Sequence, residues 1–190
     1  PGFALSIRKD GESLFEVFSG AADLEGARPI DRETVFHIAS LSKQITAAAV
    51  AFAILDGKIA LDDPVSKWIP AVKKYGDSLQ IAHLVYMTSG LREYYEVPRP
   101  GGQFWSTFDY FTIDDAIAAS LSADRLEFSP GSAWRYSNIN YMLLTRVVAA
   151  AYEKPFREVI NDRVFAPLDM RASLVNDDPS EVIPLRADAY

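Results

Sequence analysis

Ser40 and Lys43 stand three residues apart at the head of an apolar run that extends to Gly57. On a helix, residues at that spacing share a face, so the pair sets an alcohol beside an amine. A serine hydroxyl becomes a useful nucleophile when a neighbour removes its proton. An amine does so once burial or nearby positive charge lowers its pKa from about 10.4. The N–H groups at the helix start would add partial positive charge. Ser-x-x-Lys occurs a second time, at Ser6-Ile7-Arg8-Lys9. That run alternates like a strand, on which residues three apart face opposite ways. Only Ser40 and Lys43 have a carrier that lets them cooperate. The plainer alternative makes Ser40 or Ser42 a helix cap and Lys43 a solvated first-turn cation.

The carrier is the stretch 36–57. Ser40 and Ser42 mark where a helix should begin, and Gly57 where it should end. Ile45, Ala48, Ala49, Phe52 and Leu55 have the spacing of a buried stripe. Ala47, Val50, Ala51 and Ile54 fill most other faces, which predicts a central helix enclosed nearly all round. Upstream, 3–8 and 14–18 read as two strands around Lys9-Asp10-Gly11-Glu12, and Asp-Gly there signals a hairpin. Residues 20–32 read as a polar connector. Asp62-Asp63-Pro64 suggests a cap with Pro at the first position of a brief helix ending near Trp68. Further helices are expected over 81–86, from Thr112-Ile113-Asp114-Asp115 (a capping-box pattern) to Leu121, over 139–152, and from Pro155 to Phe165. Between them, 92–112 is a long loop rich in aromatics, including Tyr94, Trp105, Phe108, Tyr110 and Phe111. A loop of that length and aromatic content reads as functional rather than disordered. It would form a wall of a cleft or a clamp over the helices. Residues 171–190 read as irregular.

The 190 residues carry a net charge of -7 and no Cys. The charge excludes a nucleic-acid surface, which needs clustered cations. Disulfides, a thiol nucleophile and thiolate metal sites are excluded too. His37 and His83 lie too far apart in sequence to suggest a metal centre, so neither metal nor cofactor is expected. The longest apolar run is too short to span a bilayer. The chain opens at Pro1 with no initiator Met and no leader, which reads as a processed or trimmed chain.

Several patches in order resemble the serine β-lactamase and penicillin-binding-protein family, on the branch of class C β-lactamases, D-Ala-D-Ala carboxypeptidases and related esterases. Phe36-His37-Ile38-Ala39-Ser40-Leu41-Ser42-Lys43 is similar to that family's first motif. Leu61-Asp62-Asp63-Pro64-Val65 resembles the element after its central helix. Met87-Thr88-Ser89-Gly90-Leu91 resembles its His-Thr-Ser-Gly-Leu, with Met87 in place of His. Tyr136-Ser137-Asn138, the one Tyr-x-Asn in the chain, is similar to its second motif. The resemblance implies that Ser40 is acylated, that Lys43 and Tyr136 serve as bases or proton relays, and that Asn138 holds the substrate amide and orients Lys43. The plainer roles are a buried aromatic for Tyr136 and, for Ser137 or Asn138, the cap of the following helix. The substrate class implied is a small-molecule or peptide-like amide, β-lactam or ester, in an extracytoplasmic or periplasmic setting.

The family's third motif, Lys-Thr-Gly or His-x-Gly, does not occur in these residues. The expected architecture is therefore α+β and β-lactamase/transpeptidase-like: a helical lobe plus an antiparallel-sheet lobe of which only the N-terminal hairpin is present. Its parts would be 1–38 (hairpin and connector), 39–57 (nucleophile helix), 58–169 (helical lobe) and 170–190 (a tail leading back). Little or no turnover is expected of this chain alone. A free sheet edge would favour pairing with a missing C-terminal part or self-association. The alternative of another class is a binding or scaffold protein of the same fold without turnover.

Overall fold

The computed structural model describes residues 2–98, 102–106, 111–178 and 180–189. The chain forms two compact units, Pro1–Leu41 with Asp169–Tyr190, and Ser42–Leu168. Phe108 and Tyr110 of the aromatic loop lie outside the described residues.

The first unit is built on a three-stranded antiparallel sheet in the order β1 (Gly2–Lys9), β2 (Glu12–Asp23), β3 (Arg28–Pro29). The hairpin turn is the one its sequence demands. Asp10 and Gly11 both take positive φ, 51° and 84°, the two-residue turn whose twist matches the strands. Register follows, with Leu5 opposite Val17 and Ile7 opposite Phe15, and an irregularity between Ile7 and Arg8. The strands run longer than the alternation predicts. The connector also contributes β3, so the sheet is more than a hairpin. Pro29 is tolerated because β3 lies at the edge of the sheet. The irregular tail is tied in by backbone bonds from Val35 to Leu185 (3.0 Å), Ala187 to Val35 (2.8 Å) and Asp188 to Ala22 (2.8 Å). The Arg28 guanidinium donates to the Leu185 and Arg186 carbonyls at 3.2 and 2.6 Å.

The second unit is helical: α1 (Ser42–Leu55), α2 (Ile81–Val85), α3 (Ile113–Leu121), α4 (Asn138–Tyr152) and α5 (Phe156–Ile160). Short 3-10 turns cover Val65–Lys67, Pro70–Tyr75 and Tyr94–Glu96, and α5 widens into a π-turn over Asn161–Phe165. The capping box at Thr112 forms as its residue types require. Thr112 Oγ1 accepts the Asp115 N–H at 3.1 Å, and Asp115 Oδ2 accepts the Thr112 N–H at 2.8 Å. The cap expected of Asp63 is not made, because Pro64 itself holds the cap position. Asp63 instead accepts the Ala60 N–H at 3.0 Å and pairs with Lys67.

The most enclosed helix is α4 rather than α1. It packs on α1, α2, α3 and α5 and buries Ile139, Leu143, Leu144, Val147 and Val148. Each such side chain is worth about 1.5–3 kcal/mol of burial. On α1 the buried stripe is Thr46, Ala49, Val50 and Ala53, while Gln44, Ala51 and Leu55 are exposed. The expected stripe shares only Ala49 with it. Apolar residues on almost every face leave the periodicity unable to choose one, and packing against α4 and α5 makes the choice.

Candidate active site

Lys43 sits in the first turn of α1, half-buried, and Asn138 is the first residue of α4. Packing of α1 on α4 brings them together across 95 residues of sequence. Lys43 Nζ donates to Asn138 Oδ1 at 2.9 Å. The Tyr136 hydroxyl donates to the same oxygen at 3.2 Å. Lys43 Nζ also lies 5.0 Å from the centroid of the Tyr136 ring, within cation–π range. An ammonium, a phenol and a carboxamide thus converge within the helical unit. Tyr136 is 43% exposed, so it is not the enclosed aromatic of the plainer reading.

Ser40 belongs to the other unit. It lies in a 3-10 turn, Ala39–Leu41, that leads into α1 at Ser42, so the α-helix starts two residues after the alcohol rather than at it. Ala39, just before it, holds a left-handed φ of 45°. Strained backbone of this kind in a non-glycine residue clusters at functional positions.

The arm carrying Tyr136 and Asn138 is held by the segment 87–93. The Arg135 N–H donates to the Met87 carbonyl at 3.0 Å, and the Gly131 N–H to that of Thr88 at 2.9 Å. Asn140, buried in the first turn of α4, accepts the Ser89 hydroxyl at 2.6 Å. Its Nδ2 donates to the Ser137 carbonyl at 3.1 Å and to Met87 Sδ at 3.5 Å. The Met87 thioether therefore serves as an acceptor in a buried polar cluster. Gly90 is obligatory beside it. Its φ is 75°, and a Cβ there would meet the Phe128 carbonyl oxygen at 2.2 Å.

One member of this support is absent from the sequence reading. Glu93 is only 2% exposed. Its carboxylate accepts the backbone N–H of Asn138 through Oε2 and that of Tyr94 through Oε1, the latter at 3.2 Å. The cap of α4 is thus neither Ser137 nor Asn138. Ser137 occupies the cap position but makes no capping side-chain bond, and Glu93, 45 residues away, performs that role. No local spacing signals such a cap. Burial pushes the Glu93 carboxyl above the usual carboxylate range, opposed by the Asn138 N–H, the neighbouring Ser137 hydroxyl and the Tyr94 N–H.

The aromatic loop forms a cluster in which Tyr94 meets Tyr95, Trp105 and Phe111 at ring centroid distances of 5.3–5.7 Å. The turn Tyr94–Glu96 packs on α3. In its described part the loop is therefore anchored to the helices. Among the described residues, no helix is long and apolar enough to cross a membrane.

Comparison with known proteins gives the class to which this fold belongs. The family model described as Beta-lactamase matches residues 1–189, and the chain belongs to that family. It is 33% identical over 185 residues to Esterase EstB of Burkholderia gladioli, covering 90% of this chain and 46% of that protein. It is 29% identical over 184 residues to Penicillin-binding protein 4* of Bacillus subtilis, covering 95% and 39%. The crystal structure of D-amino acid amidase from Ochrobactrum anthropi SV3 superposes with a TM-score of 0.80 at 26% identity, over 98% of this chain and 50% of that one. The chain thus spans half or less of the length of these relatives.

Proposed function

We propose that the protein containing this chain is a serine acyl-transfer hydrolase, with Ser40 as nucleophile. Ser40 Oγ attacks the carbonyl carbon of an amide, β-lactam or ester, and its proton passes to Lys43 in its free-amine form or to Tyr136 in its phenolate form. The leaving amine or alkoxide takes up a proton as the bond to the carbonyl carbon breaks, and water then releases the acyl group from Ser40. Asn138 orients the Lys43 ammonium and meets the substrate amide. The observation that carries this reading is the shared acceptor: Asn138 Oδ1 takes hydrogen bonds from both Lys43 and Tyr136. A phenol and an amine held on one oxygen are placed to pass a proton between them. The relatives' names, an esterase, a penicillin-binding protein and an amidase, support acyl transfer and leave the acyl group open.

These residues contain no Lys-Thr-Gly or His-x-Gly. Loss of one oxyanion donor costs about 10²–10³ in rate, so we expect little turnover from this chain by itself. That absence also favours a second reading, a non-catalytic binding protein of the same fold. A fluorophosphonate or penicillin probe, applied to a protein that carries this chain together with a third motif, separates the two. Labelling at Ser40 that Ser40→Ala abolishes is expected. A folded protein that stays unlabelled supports the non-catalytic reading instead.

A further inference from the structure

Burying a carboxylate is expensive unless its charge is met by donors. Among the described residues, Glu93 is the one carboxylate in the buried set, and no Lys or Arg pairs with it. Its charge is met by two backbone N–H groups, one opening the turn Tyr94–Glu96 and one opening α4. The second of these belongs to Asn138, whose side chain holds Lys43 and Tyr136. The arm is otherwise fixed at Arg135, through the Met87 carbonyl, and at Asn140, through Ser89. Glu93 fixes the residue between those anchors.

We propose that Glu93 is a positioning residue: by holding the first N–H of α4 it sets the place of the Asn138 carboxamide, and so the alignment of Lys43 with Tyr136. Without it the Asn138 N–H joins the unpaired donors of a helix start, and the first turn frays. A shift of about 1 Å in a reacting group costs about 100-fold in rate. The geometric part of the proposal stands alone, while its effect on rate rests on the acyl-transfer reading above.

The test compares wild type with Glu93→Gln, Glu93→Asp and Glu93→Ala in the full chain. By NMR, the Asn138 amide proton is expected to move upfield in Glu93→Ala, with Glu93→Gln in between. The Lys43 side-chain signal should move in the same variants, because Asn138 Oδ1 accepts from it. In protein that labels, the maximal rate of Ser40 acylation by a fluorophosphonate should fall about 10- to 100-fold in Glu93→Ala. Half-saturation should stay constant, and Glu93→Gln or Glu93→Asp should recover part of the rate. Unchanged Asn138 and Lys43 signals, or a rate loss no larger than the loss of folded protein, would overturn the proposal. Should the variants not fold, wild type suffices. The Asn138 amide should track the Glu93 carboxyl as it titrates, followed separately from Glu96, Tyr94 and Tyr95 on its own turn and from Lys43 and Tyr136 beyond Asn138. An Asn138 signal that stays still overturns the proposal. A folded protein that carries this chain together with a third motif and never labels defeats the acyl-transfer reading, and the NMR arms still decide the role of Glu93.

Discussion

Phe3, Leu5 and Ile7 alternate along β1 as a half-buried strand should, yet all three are exposed, as are Leu14 and Phe15 on β2. Along α4, by contrast, Ile139, Leu143, Leu144, Val147 and Val148 are completely enclosed. In the sheet unit, order comes from backbone ladders, a two-residue turn and the ties between Val35 and the 185–187 segment. Order in the helical unit comes from a core. A hairpin with little buried apolar surface is marginal in water, so the two units should respond differently to the same kind of change.

Truncation of the core tests this most strongly. Leu143 is 0% exposed, and Leu143→Ala should cost about 2–5 kcal/mol. Leu14, at 63% exposed, should lose no more than about 0.5 kcal/mol on the same substitution. Urea unfolding of both variants measures the gap, and equal losses would break the contrast. Asn140→Ala comes next. It strands the Ser89 hydroxyl and the Ser137 carbonyl in a buried site, at about 1–3 kcal/mol. Hydrogen exchange at the start of α4 should rise in that variant, while exchange in β1 and β2 stays unchanged. Thr112→Ala removes a single local cap from α3 and should cost about 1 kcal/mol, read as a lowered Tm.

The smallest effect is a difference in the sign of pH dependence. Burial raises the Glu93 pKa above the ordinary 4.5, so the folded state holds its proton more tightly than the unfolded chain does. Its contribution to stability is fully present below that unfolded value and is lost as pH rises through the raised folded value. On Asp23 of the sheet unit, the Gly26 N–H depresses the pKa below 3.8. Its contribution is present above 3.8 and is lost as pH falls through the depressed value. Acidifying from neutral towards 4.5 should therefore slow exchange near Glu93 while leaving the Asp23 turn unaffected. Glu93→Gln should flatten the first response only.

What the residues disclosed in advance was local. Asp10-Gly11 dictates its turn and Thr112 with Asp115 its cap, because both operate within four residues. Lys43 could be singled out by type and by its spacing from Ser40, and Tyr136 and Asn138 by the resemblance of Tyr136-Ser137-Asn138 to a family motif. The face α1 buries could not, since Ala and Ile surround it and only α4 and α5 select Thr46, Ala49, Val50 and Ala53. Strand β3 escaped because two residues carry no periodicity. Glu93 escaped because its partner lies 45 residues away, and a glutamate in a loop looks like any solvated charge.

With its oxygen committed to an ammonium and a phenol, the Asn138 carboxamide cannot turn over without breaking both bonds. Its NH₂ end is therefore directed away from them, and that end carries only hydrogens. If Asn138 meets substrate as proposed, the group it meets there would be a carbonyl rather than another N–H. The two neighbours that face the oxygen would then set that choice of polarity in advance.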